Sequence, residues 1–171
     1  MPKESRLDSR AVIDRLMEQY GSSLLRMSAL YLKDADLAQD AVQETFLKAY
    51  RHMHDYRGES SEKTWLTSIC INTCRDMLRS AWFRHQSRMD FDTLPERPAD
   101  FTFPDDTVLS EVMRLSAKYR EVVLLRYYEG LKLKEVASAL RLSEGKVRSR
   151  LKKAEDILRE RLKEWYFDEA T

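Results

Sequence analysis

The sequence contains few of the residues that interrupt helices, form disulfides or bind metals. Among 171 residues there are four glycines, four prolines, two cysteines and three histidines. Two cysteines cannot supply the disulfide framework of a small secreted domain. The chain has no hydrophobic run near the ~18 residues that a transmembrane helix needs, and no charged and then apolar leader. We therefore expect a cytoplasmic protein without membrane insertion.

The motifs of common enzyme classes are also missing, including a glycine-rich phosphate loop, a nucleophile elbow and a His–Glu metal helix. Cys70 and Cys74 lie four residues apart, so one helix face would present both, and a histidine added to them would suit a metal. Since His52 and His54 are not at a completing spacing, two buried structural cysteines are the favoured interpretation. We predict no enzymatic activity, no metal and no cofactor.

Charge of both signs is abundant and nearly cancels. The sequence has 30 Lys+Arg against 29 Asp+Glu, a formal net charge of +1. The distribution is uneven, because residues 90–106 hold six carboxylates, a single arginine and three of the four prolines. That composition is typical of a linker. The predicted division is a domain at 1–88, an acidic linker at 89–106 and a second domain at 107–171.

Apolar residues recur at helical spacing in both halves, and strand-like alternation is absent. This pattern predicts an all-α fold of two small helical domains. The pattern does not decide whether Phe46 lies in the core or contacts a partner. The stripes of the first half are Val12, Leu16, Tyr20, Leu24 and Met27, then Leu37, Ala41, Val42, Thr45, Phe46, Ala49 and Tyr50, and then Trp65, Ile69, Cys70, Thr73, Cys74 and Met77.

The stretch from Gly130 to Arg150 has the pattern of a helix-turn-helix. Val136, Ala137 and Leu140 form the inner face of a short helix, and Ser143 is a good N-cap for the next one. In that second helix Val147, Leu151, Ala154 and Leu158 recur at spacings of four, three and four. The residues predicted to contact duplex DNA are Lys146, Arg148, Ser149, Arg150, Lys152 and Lys153.

Positive charge is concentrated on the second helix of this motif. Residues 141–163 include nine basic and four acidic residues. The alternative is a helical hairpin with a solvated basic face, but the cap, the small Ala137 and the periodicity together favour DNA binding. Arg148 and Lys152 suit the two acceptors of guanine. Arg150 lies nearer the inner edge and suits a phosphate.

Both halves resemble bacterial sigma factors of the extracytoplasmic-function group, within the sigma-70 family. Residues 119–155 are similar to region 4, and the segments Asp36–Tyr50 and Lys63–Arg79 are similar to the polymerase-binding and promoter-reading helices of region 2. The chain has Arg141 where the family favours glycine, and Lys132 where it favours a capping Ser or Thr. If the site of Arg141 needs a positive φ, arginine there is expected to cost about 1 kcal/mol, and Lys132 is expected to lose about 1 kcal/mol of capping.

The resemblance implies a sigma factor that binds RNA polymerase core and directs promoter-specific initiation at stress or envelope-response genes. It implies docking on the clamp helices of the largest core subunit and on the flap, and an anti-sigma protein as a further partner. The acidic linker would run near the RNA exit path. The residues implied to contact core are Asp36, Leu37, Asp40, Gln43, Glu44 and Leu47.

The resemblance also implies two promoter contacts, with the second domain on the minus-35 duplex and the first on the minus-ten element, where the strands separate. Small polar residues in the loop Gly58–Lys63 would cradle an unstacked base. Trp65 is suited to base stacking, but its place on the Ile69 stripe favours the core. The residues implied to read the downstream element are Ser60, Ser61, Lys63, Asn72, Arg75 and Arg79.

A protein of another class remains as the alternative, a stand-alone two-domain helix-turn-helix regulator whose first half dimerises or senses a signal. Such a regulator does not need the segments Asp36–Tyr50 and Lys63–Arg79 together. Their combined presence favours the sigma factor.

Overall fold

The structure is a computed structural model that describes the backbone of residues 3–88 and 107–169, and the side chains of residues 8–81 and 107–163. Within these ranges the secondary structure is helical, with no strand. The chain separates into two compact units, Met1–Pro98 and Ala99–Thr171. The predicted all-α class with two helical domains is thus confirmed. The predicted acidic linker lies outside the described residues.

The first unit is built from three helices, α1 (Lys3–Leu32), α2 (Ala35–His52) and α3 (Glu62–Arg88), with a short 3₁₀ turn at Met53–Asp55. All three pack against one another. Lys33 has a left-handed conformation with φ of 58° and turns the chain after α1. Asp34 then caps α2, because its Oδ1 accepts the Leu37 N–H at 2.9 Å.

The core of the first unit follows the predicted stripes of α1 and α2 in part, since Val12 and Tyr20 are half-buried and Tyr50 is exposed. Leu16, Leu24 and Met27 of α1 are fully buried. In α2 the small Ala41 is buried beside Phe46, which is 5% exposed. Phe46 therefore belongs to the core of this unit, which decides between its two interpretations.

The inner face of α3 is rotated relative to the predicted stripe. Leu66 and Ile71 are fully buried, whereas Trp65 and Ile69 are only half-buried. The prediction that Trp65 is a core residue is wrong. Its place on the apolar stripe was misleading because α3 turns that edge toward the loop before it.

The two cysteines are buried, as predicted. Cys70 and Cys74 are both 0% exposed, and the Ser28 hydroxyl lies 3.1 Å from the first sulfur and 3.5 Å from the second. The hydrogen bond with the Cys70 thiol, together with burial, raises the pKa of Cys74 far above its ordinary value. Within the described ranges, no three His, Cys, Asp or Glu side chains are grouped to hold a metal ion.

The second unit contains α4 (Thr107–Met113), α5 (Ala117–Val123), a π-helical turn at Leu124–Tyr128, α6 (Leu133–Leu140) and α7 (Glu144–Glu169). The Glu129 N–H bonds to the Leu124 carbonyl at 3.0 Å, the spacing of a π-turn. Gly130 ends this segment with φ of 70°, a conformation that glycine adopts without a steric cost. The fully buried core residues include Val122, Leu124, Leu125, Val136, Val147 and Ala154.

Two buried ionic groups fix α5 within the second unit. Arg120, 5% exposed, donates to the carbonyl of Leu115 at 2.6 Å. The carboxylate of Glu121 accepts from Arg150 of α7 at 3.1 Å. Because a buried charge without a partner is costly, the Glu121–Arg150 bond sets the position of α5 against α7, and the Arg120 bond ties α5 to the connection that follows α4. Among the helices of the described ranges, none is long and apolar enough to cross a membrane.

Candidate nucleic-acid interface

The helices α6 and α7 form the predicted helix-turn-helix, and Arg141 makes the turn between them. Arg141 is left-handed, with φ of 55° and ψ of 44°, so the condition for strain at this position is met. The Leu142 N–H bonds to the Ala137 carbonyl at 2.9 Å and the Arg141 N–H bonds to that of Ser138 at 3.3 Å. This is the Schellman pattern that satisfies the last carbonyls of a helix.

A side chain accepts a backbone N–H at the N-terminus of each helix of the motif. Ser143 caps α7 as predicted, with its Oγ accepting the Lys146 N–H at 3.2 Å. The side chain of Lys132 has no acceptor, so it cannot cap α6. The Glu135 carboxylate instead accepts the Lys132 N–H at 2.7 Å. This bond is one half of a capping box, and it offsets part of the capping energy that Lys132 was predicted to lose.

The helix α7 presents most of its predicted DNA contacts to solvent. Its inward positions Val147, Leu151 and Ala154 are buried. The half-buried Arg150 differs from the other predicted contacts, because it pairs with the buried Glu121. The exposed predicted contacts are Lys146, Arg148, Ser149, Lys152 and Lys153.

Two open grooves run along the flanks of α7. One, the α5 groove, has a volume of about 580 Å³ and is lined by Lys118 and Tyr119 of α5 together with α7 residues that include Lys146 and Lys153. The other, the π-turn groove, has a volume of about 550 Å³ and is lined by residues that include Tyr127. The exposed ridge of α7 between these grooves is therefore free to enter a groove of DNA.

The π-turn groove holds an acidic group in a fixed place. The Tyr127 hydroxyl donates to the Glu155 carboxylate, and that bond raises the pKa of Tyr127. The Arg126 guanidinium carbon lies 5.9 Å from the centre of the Tyr127 ring. The Glu155 carboxylate is thus held beside the basic residues of this flank, and its negative charge weakens their attraction for a polyanion.

In the first unit, the loop before α3 forms an open pocket of about 360 Å³ beside Trp65. The rings of Tyr56 and Trp65 stack with centroids 4.6 Å apart and planes 23° from parallel. The Tyr56 hydroxyl donates to the Ser60 carbonyl, and Ser61 caps α3 by accepting the Thr64 N–H at 3.1 Å. The pocket is lined by Asp55, Tyr56, Arg57, Glu59, Ser60 and Trp65.

Three of the residues predicted to read the downstream element share one face of α3. Asn72 donates to the Ser68 carbonyl at 2.8 Å, and Arg75 donates to Asn72 Oδ1 at 3.4 Å. Arg79 is exposed one turn further on. Spacings of seven residues also place Trp65 on this face. Lys63 lies nine residues before Asn72, which is half a turn away on an ideal helix.

The predicted polymerase contacts lie on the surface of α2. Leu47 is 51% exposed and the neighbouring Tyr50 is 40% exposed. Leu37 and Glu44 are half-buried. The exposed members, Asp36, Asp40, Gln43 and Leu47, recur at spacings of four, three and four, so they form one acidic and apolar stripe.

Comparison with known proteins assigns both units to one family. Residues 16–84 match the family Sigma-70 region 2, and residues 106–158 match Sigma-70, region 4. The RNA polymerase sigma-H factor of Pseudomonas aeruginosa is 30% identical over 166 residues, covering 88% of this chain and 86% of that protein. The ECF RNA polymerase sigma factor SigX of Bacillus subtilis is 29% identical, covering 86% and 85%. The chain belongs to the sigma-70 family, in its extracytoplasmic-function group.

A solved structure has the same fold as this sigma factor. It is the sigma factor RpoE in complex with the anti-sigma factor NepR from Bartonella quintana, with a TM-score of 0.73 and 23% identity, covering 88% of this chain and 96% of that one. The region 2 match contains the α2 stripe and the pocket beside Trp65. The region 4 match contains the α5 groove and all lining residues of the π-turn groove except Arg159.

Among the residues of these surfaces that were missed from sequence are Tyr56, Lys118, Tyr119 and Glu121. Tyr56 stands next to a glycine-containing polar loop, a position at which an aromatic residue can be suspected of lining a pocket. The other three belong to α5, which precedes the helix-turn-helix, and sequence spacing does not show that α5 packs beside α7.

Proposed function

We propose that this sigma factor binds RNA polymerase core and directs promoter-specific initiation, with no catalytic chemistry of its own, in the cytoplasm. The carrying observation is that one chain combines the exposed α2 stripe with a helix-turn-helix whose second helix presents five exposed polar residues. A regulator that binds DNA alone needs no such stripe.

The α2 stripe is proposed as the contact with the clamp helices of the largest core subunit. Asp36 and Asp40 suit a basic partner helix, and Leu47 with Tyr50 supplies the apolar area that anchors an interface. Phe46 is removed from this set because it is buried. Within the described ranges, Leu47 is among the most exposed of the large apolar side chains.

The helix α7 is proposed to read the minus-35 duplex in the major groove. Arg148 and Lys152 are exposed and match the acceptor pair of guanine. Lys146, Ser149 and Lys153 complete the exposed set. Arg150 donates to Glu121. A guanidinium has five N–H donors, so Arg150 can also donate to a phosphate, and that contact remains part of the proposal.

The pocket beside Trp65 is proposed to receive an unstacked base of the minus-ten element. Its wall is the Tyr56–Trp65 stack, and stacking on an aromatic ring is a common way to bind a base taken out of the duplex. The polar loop with Ser60 offers hydrogen bonds to the base. Asn72, Arg75 and Arg79 extend the contact along α3, with Lys63 and Ser61 beside the loop.

The chain is further proposed to bind the polymerase flap through its second domain and to be regulated by an anti-sigma factor. The similar RpoE chain was solved with the anti-sigma factor NepR, which supports the second of these. The domain limits 1–88, 89–106 and 107–171 remain our proposal, with the linker passing near the RNA exit path.

Reconstitution with purified core tests the proposal. The chain is expected to co-elute with core in gel filtration and to direct run-off transcription from a restricted set within a promoter library. A stand-alone regulator would instead bind palindromic DNA as a dimer, and core would not change its elution. That second pattern would replace the sigma-factor function with the regulator.

A further inference from the structure

The α5 groove is the more basic of the two flanks of α7. Five cationic side chains and one carboxylate, Asp156, line it, and one of the five, Arg150, is paired with the buried Glu121. Four cationic side chains and two carboxylates, Glu155 and Asp156, line the π-turn groove, and Glu155 is held there by Tyr127. The two sides of α7 therefore offer unequal attraction to a polyanion.

A helix in the major groove of DNA has a sugar–phosphate backbone on each side, because that groove is about 12 Å wide. With the α7 ridge facing the bases, each backbone meets one flank of the helix. Phosphate contacts come chiefly from Lys, Arg and hydroxyl donors. The α5 groove supplies all three of these donor types, and its residues Lys118 and Tyr119 lie outside the helix-turn-helix.

The walls of the α5 groove are held together by contacts within the unit. The bond between Glu121 of α5 and Arg150 of α7, at 3.1 Å, lies beside it. Lys118 is exposed, and its Nζ lies 5.0 Å from the centre of the Tyr119 ring, a cation–π distance. An ammonium and a phenol hydroxyl are thus presented side by side from α5.

We propose that the α5 groove binds the phosphodiester backbone of one strand of the duplex that α7 reads, with Lys118 contacting a phosphate and Tyr119 donating a second bond. This inference rests on the proposed function of α7 and extends its DNA contacts to a helix outside the motif. Phosphates carry no base identity, so these residues contribute affinity and not sequence preference.

The test uses the full chain assembled with core polymerase and fluorescence anisotropy on two duplexes, a minus-35 promoter duplex and a scrambled one. Lys118→Ala should reduce the slope of log affinity against log salt by about 0.9, the value for one lost phosphate contact. The factor by which Lys118→Ala weakens DNA binding relative to the natural chain should then shrink about threefold between 50 and 200 mM NaCl. The ratio between the two duplexes should not change.

Two further variants separate this effect from general damage. Tyr119→Phe should weaken binding to both duplexes and leave the salt slope unchanged, since no charge is removed. Lys163→Ala is the matched control, because Lys163 is an exposed lysine of α7 about 25 Å along the helix from Lys146. Lys163→Ala should change neither the affinity for the duplexes nor the salt slope. All three variants should keep the melting temperature of the natural chain.

Equal affinity and equal slope for Lys118→Ala and the natural chain would overturn the proposal. So would a loss of assembly with core at unchanged DNA affinity, which would assign the groove to an acidic protein partner. If the natural holoenzyme does not distinguish the two duplexes, promoter recognition by α7 fails. Comparing the salt slopes on the scrambled duplex still tests whether the α5 groove binds the DNA backbone.

Discussion

The guanidinium of Arg15 in α1 holds the carboxylate of Glu62, the first residue of α3, through two hydrogen bonds of 2.7 and 3.1 Å. Glu62 is the residue directly after the loop that forms the pocket beside Trp65. Arg15 is therefore a positioning residue for that loop. It fixes the start of α3, while the Tyr56–Trp65 stack fixes the other side of the pocket.

Removing this pair should lower stability in a pH-dependent way. The bond from Arg15 lowers the pKa of Glu62 from its ordinary value of 4.5. A carboxyl whose pKa is lower in the folded state stabilises the fold above its unfolded pKa, and this contribution is lost as pH falls through the folded value. Arg15→Ala should therefore melt slightly below the natural chain at pH 7, and the difference should close below about pH 4.

Thermal melts across this pH range measure the effect, with Arg10→Ala as the control because Arg10 is an exposed arginine of the same helix. The control should follow the natural chain at every pH. A difference between Arg15→Ala and the natural chain that persists unchanged at pH 3 would show that Glu62 is not the partner that matters.

The left-handed turn of the helix-turn-helix should be improved by glycine. Arg141 has φ of 55°, a conformation that costs a non-glycine residue about 1 kcal/mol. We expect Arg141→Gly to raise the free energy of unfolding of the second unit by up to ~1 kcal/mol. Denaturant unfolding followed by circular dichroism measures this change.

Ser138→Gly is the matched control for Arg141→Gly, because Ser138 is an exposed position inside α6. Glycine there should destabilise by about 0.5 kcal/mol relative to serine, so the two glycine substitutions should have opposite signs. Destabilisation by both would mean that Arg141 makes a contact worth more than its backbone strain.

The α2 stripe should be needed for polymerase binding and not for folding. Leu47→Ala removes a side chain that is 51% exposed, so we expect an unchanged melting temperature and about tenfold weaker binding to core, the effect of losing an apolar anchor. Met17→Ala is the control, since Met17 of α1 is 49% exposed. Titration of labelled core distinguishes them, and equal affinities for both variants would remove Leu47 from the interface.

The cysteines should be chemically inert in the folded protein. Both sulfurs are buried, and the pKa of Cys74 is raised by the bond with Cys70 and by burial, so little thiolate is available to react. Iodoacetamide at pH 8 should label neither residue in the native chain and both in guanidinium, as read by mass spectrometry. Rapid labelling of the native chain would show that α3 opens readily.

Sequence reasoning reached most of the fold because periodicity and caps act locally. The Ser143 cap and the buried positions Val147, Leu151 and Ala154 of α7 were predicted and are present, while Leu158 is half-buried. Trp65 was placed in the core and is half-buried beside the loop, since an apolar stripe does not reveal how far a helix is rotated about its own axis. The pairing of Glu121 with Arg150 joins residues 29 positions apart, and such tertiary contacts leave no local pattern.

Run-off transcription with purified core tests the central claim most directly. The natural chain should initiate at a defined set of promoters. Arg148→Ala should relax or abolish dependence on the minus-35 sequence, and Asn72→Ala should impair use of the minus-ten sequence. Folding and core binding should be retained by both variants. Full activity on the same promoters with both substitutions would contradict the assigned reading sites, and an inability of the natural chain to direct initiation would contradict the function itself.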